Sequence, residues 1–145
     1  MKDYNVFSPL AYADDDEDDR MFFAEAMQEI FPEINMKLFH NGEVLITYIL
    51  STITAGIVPK LIFLDLNMPI MNGFECLSVL KNNTLLSKIP VVIYSTSSSE
   101  TDRKKILEMG AVRFITKEIS FKKMLVQLKT TMDDLYHKEL NPKVI

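Results

Sequence analysis

One cysteine and two histidines in 145 residues set the first limits on this chain. Cys76 alone cannot form an internal disulfide or a multi-cysteine metal centre, and a lone thiol fits a reducing compartment, so a cytoplasmic location is expected. His40 and His137 are isolated from other ligand types and read as surface residues. Long apolar runs are missing as well. Val44–Leu50 and Leu61–Leu64 are the best candidates, far short of the roughly 18–20 residues that a membrane-spanning helix requires. The opening Met1-Lys2-Asp3-Tyr4-Asn5 lacks the apolar stretch and small-residue cleavage site of a secretory signal. Neither sign of charge dominates: 16 basic residues stand against 20 acidic ones, which disfavours direct nucleic-acid binding. There is no internal repeat and no low-complexity linker. With 48% hydrophobic and 25% charged residues the composition is that of an ordinary globular chain. A single domain over residues 1–145 is expected, its core spanning about 8–137, with Met1–Ser8 and Lys138–Ile145 as short extensions, frayed or lightly docked.

Five short apolar runs alternate with longer amphipathic segments. The runs Leu10–Ala13, Ile34–Phe39, Leu61–Leu64, Val91–Tyr94 and Ala111–Ile115 are bounded by Pro, Gly or polar residues and read as strands. Leu61–Leu64 and Val91–Tyr94 are continuously apolar, as strands covered on both faces tend to be. Between the runs lie Asp18–Phe31, Gly42–Ala55, Asn72–Asn82 and Ser98–Gly110, and Ser120–His137 follows the last. Phe121, Met124, Leu125, Leu128, Met132 and Leu135 recur at helical spacing, as do Phe22, Phe23, Ala26, Met27 and Ile30. Both stripes are assigned to the core. Ser97 and Glu100 have capping-box spacing, and Gly110 is placed to end the helix they open. Strands alternating with helices imply an α/β fold, a parallel sheet with helices on both faces.

Chemistry collects where the apolar runs stop. Asp14, Asp15 and Asp16 follow the first run, Asp65 the third, Ser95 and Thr96 the fourth, and Thr116 and Lys117 the fifth. In a parallel sheet all these ends point the same way, toward the edge where such sheets bind ligands. Two carboxylates about 4 Å apart repel by ~4 kcal/mol at an effective dielectric near 20, and a proton or a divalent cation relieves this. Oxygen-only donors favour a hard ion such as Mg²⁺. Carboxylate, hydroxyl and ammonium together describe a phosphoryl-transfer site with a carboxylate as acceptor. Taken singly, each group has a plainer use: an Asp as helix N-cap, a Ser or Thr in a turn, a Lys in solvent. Four independent strand ends each carrying the required group is the specific signal.

These residues resemble the receiver domain of two-component response regulators from about Leu10 to Leu135. The resemblance is carried by Ala13-Asp14-Asp15, Leu64-Asp65-Leu66-Asn67-Met68-Pro69, Met71-Asn72-Gly73, Ile89-Pro90, Met109-Gly110-Ala111 and Ile115-Thr116-Lys117. It implies a doubly wound, flavodoxin-like (CheY-like) three-layer sandwich with a five-stranded parallel sheet of order 2-1-3-4-5. By position it implies Asp65 as phosphoacceptor. Mg²⁺ would be held by Asp15, Asp65 and the backbone carbonyl of Asn67, with Asp14 acting through water. Ser95 and Phe114 stand at the two switch positions, and Lys117 at the position of the family's lysine. The implied partners are a sensor histidine kinase or histidine phosphotransfer protein and an unknown downstream protein. Monomer or weak dimer is the implied state, and the implied role is signalling rather than enzymatic. Leu64–Pro69 and Tyr94-Ser95-Thr96-Ser97 are similar to receivers partnered with bacterial phytochromes. A stand-alone regulator is expected, with output through a face containing Arg103, Lys104, Lys105 and Lys122.

Three departures from the family pattern stand out. Glu118 follows Lys117 where the family usually has proline; a non-proline cis bond costs ~2.5–4 kcal/mol, so a trans bond is expected, with a possible displacement of the lysine. Thr96 stands where many receivers have Ala or Gly, narrowing access for water or a phosphodonor. Phe114 lacks the hydroxyl of a tyrosine, so only its packing can report its position. Other readings compete. A pseudo-receiver would keep the fold and bind partners without phosphorylation. An EF-hand starting at Asp14, with Asp16, Asp18 and Glu25, fails because Asp19 stands where glycine is needed and no helix fits before the loop. Asp14-x-Asp16 matches aspartyl-phosphate phosphatases but leaves Asp65 unexplained, and no Gly-rich loop supports nucleotide or flavin binding.

Overall fold

The computed structural model describes residues 2–140; the expectation for the chain end therefore lies partly outside the described residues, from 141 on. Five parallel strands, β1 Leu10–Ala13, β2 Met36–Phe39, β3 Leu61–Leu64, β4 Val91–Ser95 and β5 Arg113–Thr116, form one sheet of order β2-β1-β3-β4-β5. The helices are α1 Glu17–Ile30, α2 Gly42–Thr52, α3 Gly73–Lys81, α4 Glu100–Glu108 and α5 Phe121–Leu135. This is the expected doubly wound α/β order. Side chains alternate along each central strand, and the two sets go to different layers. Ala11, Ala13, Ile62, Leu64, Val91 and Ile93 pack with α2, α3 and α4. Leu10, Tyr12, Leu61, Phe63, Val92 and Tyr94 pack with α1 and α5. Central strands covered on both faces have no polar side to show, which is why their sequence reads as unbroken apolar runs.

Element boundaries differ from expectation where local hydrogen bonds compete. Ile34 is buried but precedes β2, and Ala111 closes α4 by donating to Ile106 O before β5 begins at Arg113. Helix α2 ends at Thr52 and tightens into a 3-10 turn, Ile53–Ala55. The expected Ser97/Glu100 box is not formed. Ser99 caps α4 by accepting from the Asp102 N–H, while Ser97 Oγ, two residues before the cap, accepts from the Ser99 N–H. The reciprocal box lies instead at Asn72 and Glu75, opening α3. Gly110 ends the α4 region with φ +108, as its placement suggested. Of the two apolar stripes, Phe22 and Phe121 fall outside the core: both are partly exposed, at 43% and 38%. The described part of the N-terminal extension, residues 2–8, is docked rather than frayed. Tyr4–Phe7 forms a 3-10 turn, Phe7 is fully buried, and Tyr4 stacks on Phe31 and donates its hydroxyl to Asp133.

Strand register positions the site. Ala13 pairs with Leu64 and Leu64 with Ile93, so Asp14, Asp65 and the end of β4 lie side by side. The loop after Asp65 is pinned by the Gly73 N–H donating to Leu66 O at 2.9 Å. A Cβ at residue 73 would sit 2.6 Å from Asp65 O and 2.8 Å from Leu66 Cα, both backbone atoms. Glycine is therefore required for α3 to start against the Asp65 loop. Gly73→Ala is expected to cost roughly 1–3 kcal/mol, the range for over-packing a tight contact, in urea denaturation; an unchanged midpoint would show that the loop yields freely.

Candidate functional site

Asp14, Asp15 and Asp65 each bring a carboxylate oxygen to within 4.8 Å of the others, Asp14 and Asp65 buried and Asp15 exposed. The parallel sheet accounts for this: β1 and β3 end side by side, and the next residue on each is an aspartate. Asp14 is the most constrained. Its Oδ1 accepts from the Asp16 N–H at 2.9 Å, and its Oδ2 accepts from the Tyr12 hydroxyl and Lys117 Nζ, both at 2.5 Å. Arg20 donates to the Asp14 carbonyl at 2.6 Å. Asp16 is the N-cap of α1, accepting from the Asp19 N–H, so it is a helix cap rather than a member of the cluster.

Lys117 comes from the end of β5. Its N–H donates to Ser95 O at 2.8 Å, and its side chain crosses to the acidic group. Nζ lies 2.5 Å from Asp14, 2.8 Å from Asp19 and 3.7 Å from Asp65, so it hydrogen-bonds the first two and only pairs electrostatically with the third. The ammonium also lies 5.6 Å from the centre of the Tyr94 ring. The Lys117–Glu118 bond is trans, as expected without proline.

Protonation follows from burial and charge. Burial, then the negative charge of Asp14, push the Asp65 carboxyl up to about 6, against Lys117, a Ser95 hydrogen bond and the Leu66 backbone. For Lys117, burial works against the charged form, and the hydrogen bonds to Asp14 and Asp19 outweigh it, so the proton is held more tightly than on an ordinary lysine. Burial and the neighbouring Asp14 charge keep the Tyr12 hydroxyl protonated. Burial alone pushes the Cys76 thiol up to about 12, which leaves it inert.

The remaining expected residues are distributed around this centre. Ser95 is fully buried, its Oγ accepting from the Ser97 N–H at 3.3 Å. Asn67 is exposed, two residues beyond Asp65. Thr96 is exposed and lines a cleft with Asp19, Phe22, Lys117 and Glu118. Phe114 is buried, and Arg103 covers it, donating to its carbonyl at 2.9 Å with the guanidinium 5.9 Å from the ring centre. Lys105 lies over the Phe74 ring at 4.6 Å. The basic residues expected to form one patch are thus partly drawn to separate aromatic partners. Three contributors were invisible in the sequence: Asp19, Tyr12 and Arg20. Asp19 reads as helix-start acidity and Tyr12 as core; only the fold brings Lys117, 98 residues from Asp19, against it, and Tyr12 onto the Asp14 oxygen that Lys117 also reaches.

A family model described as the response regulator receiver domain matches residues 11–129. The chemotaxis protein CheV1 of Helicobacter pylori is 34% identical over 102 residues, covering 69% of this chain and 32% of that protein. The chain spans about a third to a half of the length of the curated relatives it matches. The structure of the phosphorylated cyanobacterial phytochrome response regulator RcpA superposes with a TM-score of 0.77 at 25% identity, over 87% of this chain and 91% of that one. The Mn²⁺-bound form of response regulator Rcp1 gives 0.73 at 25% identity, over 83% and 88%.

Two stability measurements test this geometry. Tyr12→Phe removes a buried donor to a charged carboxylate and is expected to cost about 1.5–3 kcal/mol in urea denaturation. Asp65 binds its proton more tightly folded than unfolded, so its contribution is full below the ordinary 3.8 and lost as pH rises through about 6. In chelator-containing buffer, Asp65→Asn should therefore stabilise the fold at about pH 8, by at most roughly 3 kcal/mol at ~1.36 kcal/mol per pKa unit, and hardly at all near pH 4. Equal gains at both pH values would contradict the account.

Proposed function

The chain belongs to the response regulator receiver family, and on that premise we propose that it accepts a phosphoryl group on Asp65 from a histidine kinase or histidine phosphotransfer protein. The carrying observation is the cluster itself: three carboxylates and one ammonium at a strand-end edge, with Asp65 left under-compensated. A carboxylate oxygen of Asp65 attacks phosphorus and an O–P bond forms. The N–P bond of the phosphohistidine breaks, and the donor nitrogen keeps its electron pair. Asp65 is well suited because register fixes it beside Asp14 and Gly73 fixes the loop that carries it. Lys117 supplies a donor within 3.7 Å of the Asp65 oxygen for phosphoryl oxygens, and the Ser95 hydroxyl a second.

The donor set fits a hard divalent cation, which we take to be Mg²⁺: every donor is oxygen, and the three carboxylates bring negative charge. Asp15, Asp65 and the Asn67 carbonyl would hold it, with Asp14 acting through water because both its oxygens already accept hydrogen bonds. When bound, such an ion supplies positive charge to the phosphoryl oxygens in transit. Thr96 lines the cleft beside Lys117, where in this reading it narrows access for water and donors.

The output we propose is a change at the α4–β5–α5 face, through Ser95 and Phe114, read by a downstream protein in the cytoplasm. Phe114 is buried here, and its carbonyl and ring both engage Arg103 on α4, so movement of the ring is tied to that helix. We assign this activity to one receiver domain over about residues 8–137, a signalling protein rather than an enzyme and a monomer or weak dimer. Incubation with acetyl phosphate and Mg²⁺ should add one phosphoryl mass, which does not form when a chelator removes the Mg²⁺ beforehand and is absent in Asp65→Asn. Persistent labelling in that variant would overturn the assignment.

A further inference from the structure

Lys117 is not equally shared among the acidic residues around it. Its ammonium is 2.8 Å from Asp19 Oδ2, a residue of the first turn of α1, and 3.7 Å from the Asp65 oxygen it faces. The lysine side chain is 9% exposed, whereas Asp19 is 35% exposed, so this contact closes the outer side of the ammonium. Asp14 closes the inner side at 2.5 Å, and the Tyr94 ring lies 5.6 Å away. Two of the three ammonium protons are thereby committed to carboxylates other than Asp65. The Asp14 side chain is fully buried and its contact is reinforced by Tyr12, so the half-exposed Asp19 contact is the one that can open.

We propose that Asp19 is a positioning residue that holds Lys117 withdrawn from Asp65, an ionic latch that must open before the lysine can reach an incoming phosphoryl group. This rests on the phosphoacceptor reading above and adds a regulating contact to it. A partly exposed pair is weak, so the latch slows transfer by a small factor without blocking it. Glu118 offers the natural comparison. It lines the same cleft with the same charge, and among the described residues no ion pair joins it to Lys117.

The full-length protein is tested with acetyl phosphate and Mg²⁺. Asp65 attacks phosphorus, the bond from phosphorus to the acetyl oxygen breaks, and acetate leaves with the electron pair. Asp19→Asn should raise the maximal phosphorylation rate about two- to five-fold, with the half-saturating donor concentration unchanged. Asp19→Glu should return the rate to that of the wild type, and Glu118→Gln should change the maximal rate far less. In metal-free protein without any donor, the Lys117 side-chain ¹⁵Nζ signal should shift in Asp19→Asn and not in Glu118→Gln. An unchanged or slower rate in Asp19→Asn, an equal acceleration in Glu118→Gln, or an unmoved ¹⁵Nζ signal overturns the latch. If the wild type takes up no phosphoryl group at all, the phosphoacceptor reading fails instead, and the Nζ signal still reports whether Asp19 holds the lysine.

Discussion

Negative charge concentrated at a low-dielectric sheet edge is the constraint around which this molecule is arranged. Asp14 and Asp65 are buried within a few ångströms of each other because two adjacent parallel strands stop at the same level. Each further feature of the site answers that repulsion. Tyr12 and Lys117 donate to one oxygen of Asp14, the Asp16 N–H to the other, and Asp65 keeps its proton to unusually high pH. A protein selected for stability alone would not hold two carboxylates there, since burying charge carries a desolvation penalty even where it is paired. The cost makes sense under the proposed role, in which a cation and a phosphoryl group come and go.

The two faces of the sheet connect this edge to different parts of the fold. On the α1–α5 side, Tyr12, Phe23, Phe63 and Tyr94 form a buried aromatic group directly behind the acidic centre. Tyr12 belongs to both, its ring in the core and its hydroxyl on Asp14. The opposite face holds Phe114, tied by carbonyl and ring to Arg103 on α4. A change of charge at Asp65 thus has a packed route to each layer, through Tyr12 on one side and through β4 and β5 on the other.

Much of this was legible in the amino-acid order. The apolar runs ending in Asp14, Asp65 and Ser95 reveal both the strands and the edge they share, because parallel topology leaves their ends no other direction. Lys117 is legible for the same reason. What sequence spacing could not show is reach. Asp19 and Lys117 are 98 residues apart, and nothing in Glu17-Asp18-Asp19 separates a ligand to the lysine from acidity that suits a helix start. Phe22 fits the α1 stripe by spacing, yet the helix turns it toward the cleft beside Lys117. The cap of α4 moved from Ser97 to Ser99 because serines at 97, 98 and 99 offer equivalent hydroxyls, and tertiary context selects among them. Arg103 reads as one of the basic residues of an output face, and its tie to Phe114 stays hidden because the acceptor is a backbone carbonyl.

The central claim is that Asp14, Asp15 and Asp65 form one divalent-cation site. Titrating Mg²⁺ into ¹³C,¹⁵N-labelled protein and following the aspartate carboxyl carbons tests it most directly. The account requires saturable binding at a single site, with the largest shifts at Asp15 and Asp65 and a smaller one at Asp14. Shifts centred on Asp16 and Asp18, or no saturation, would contradict it.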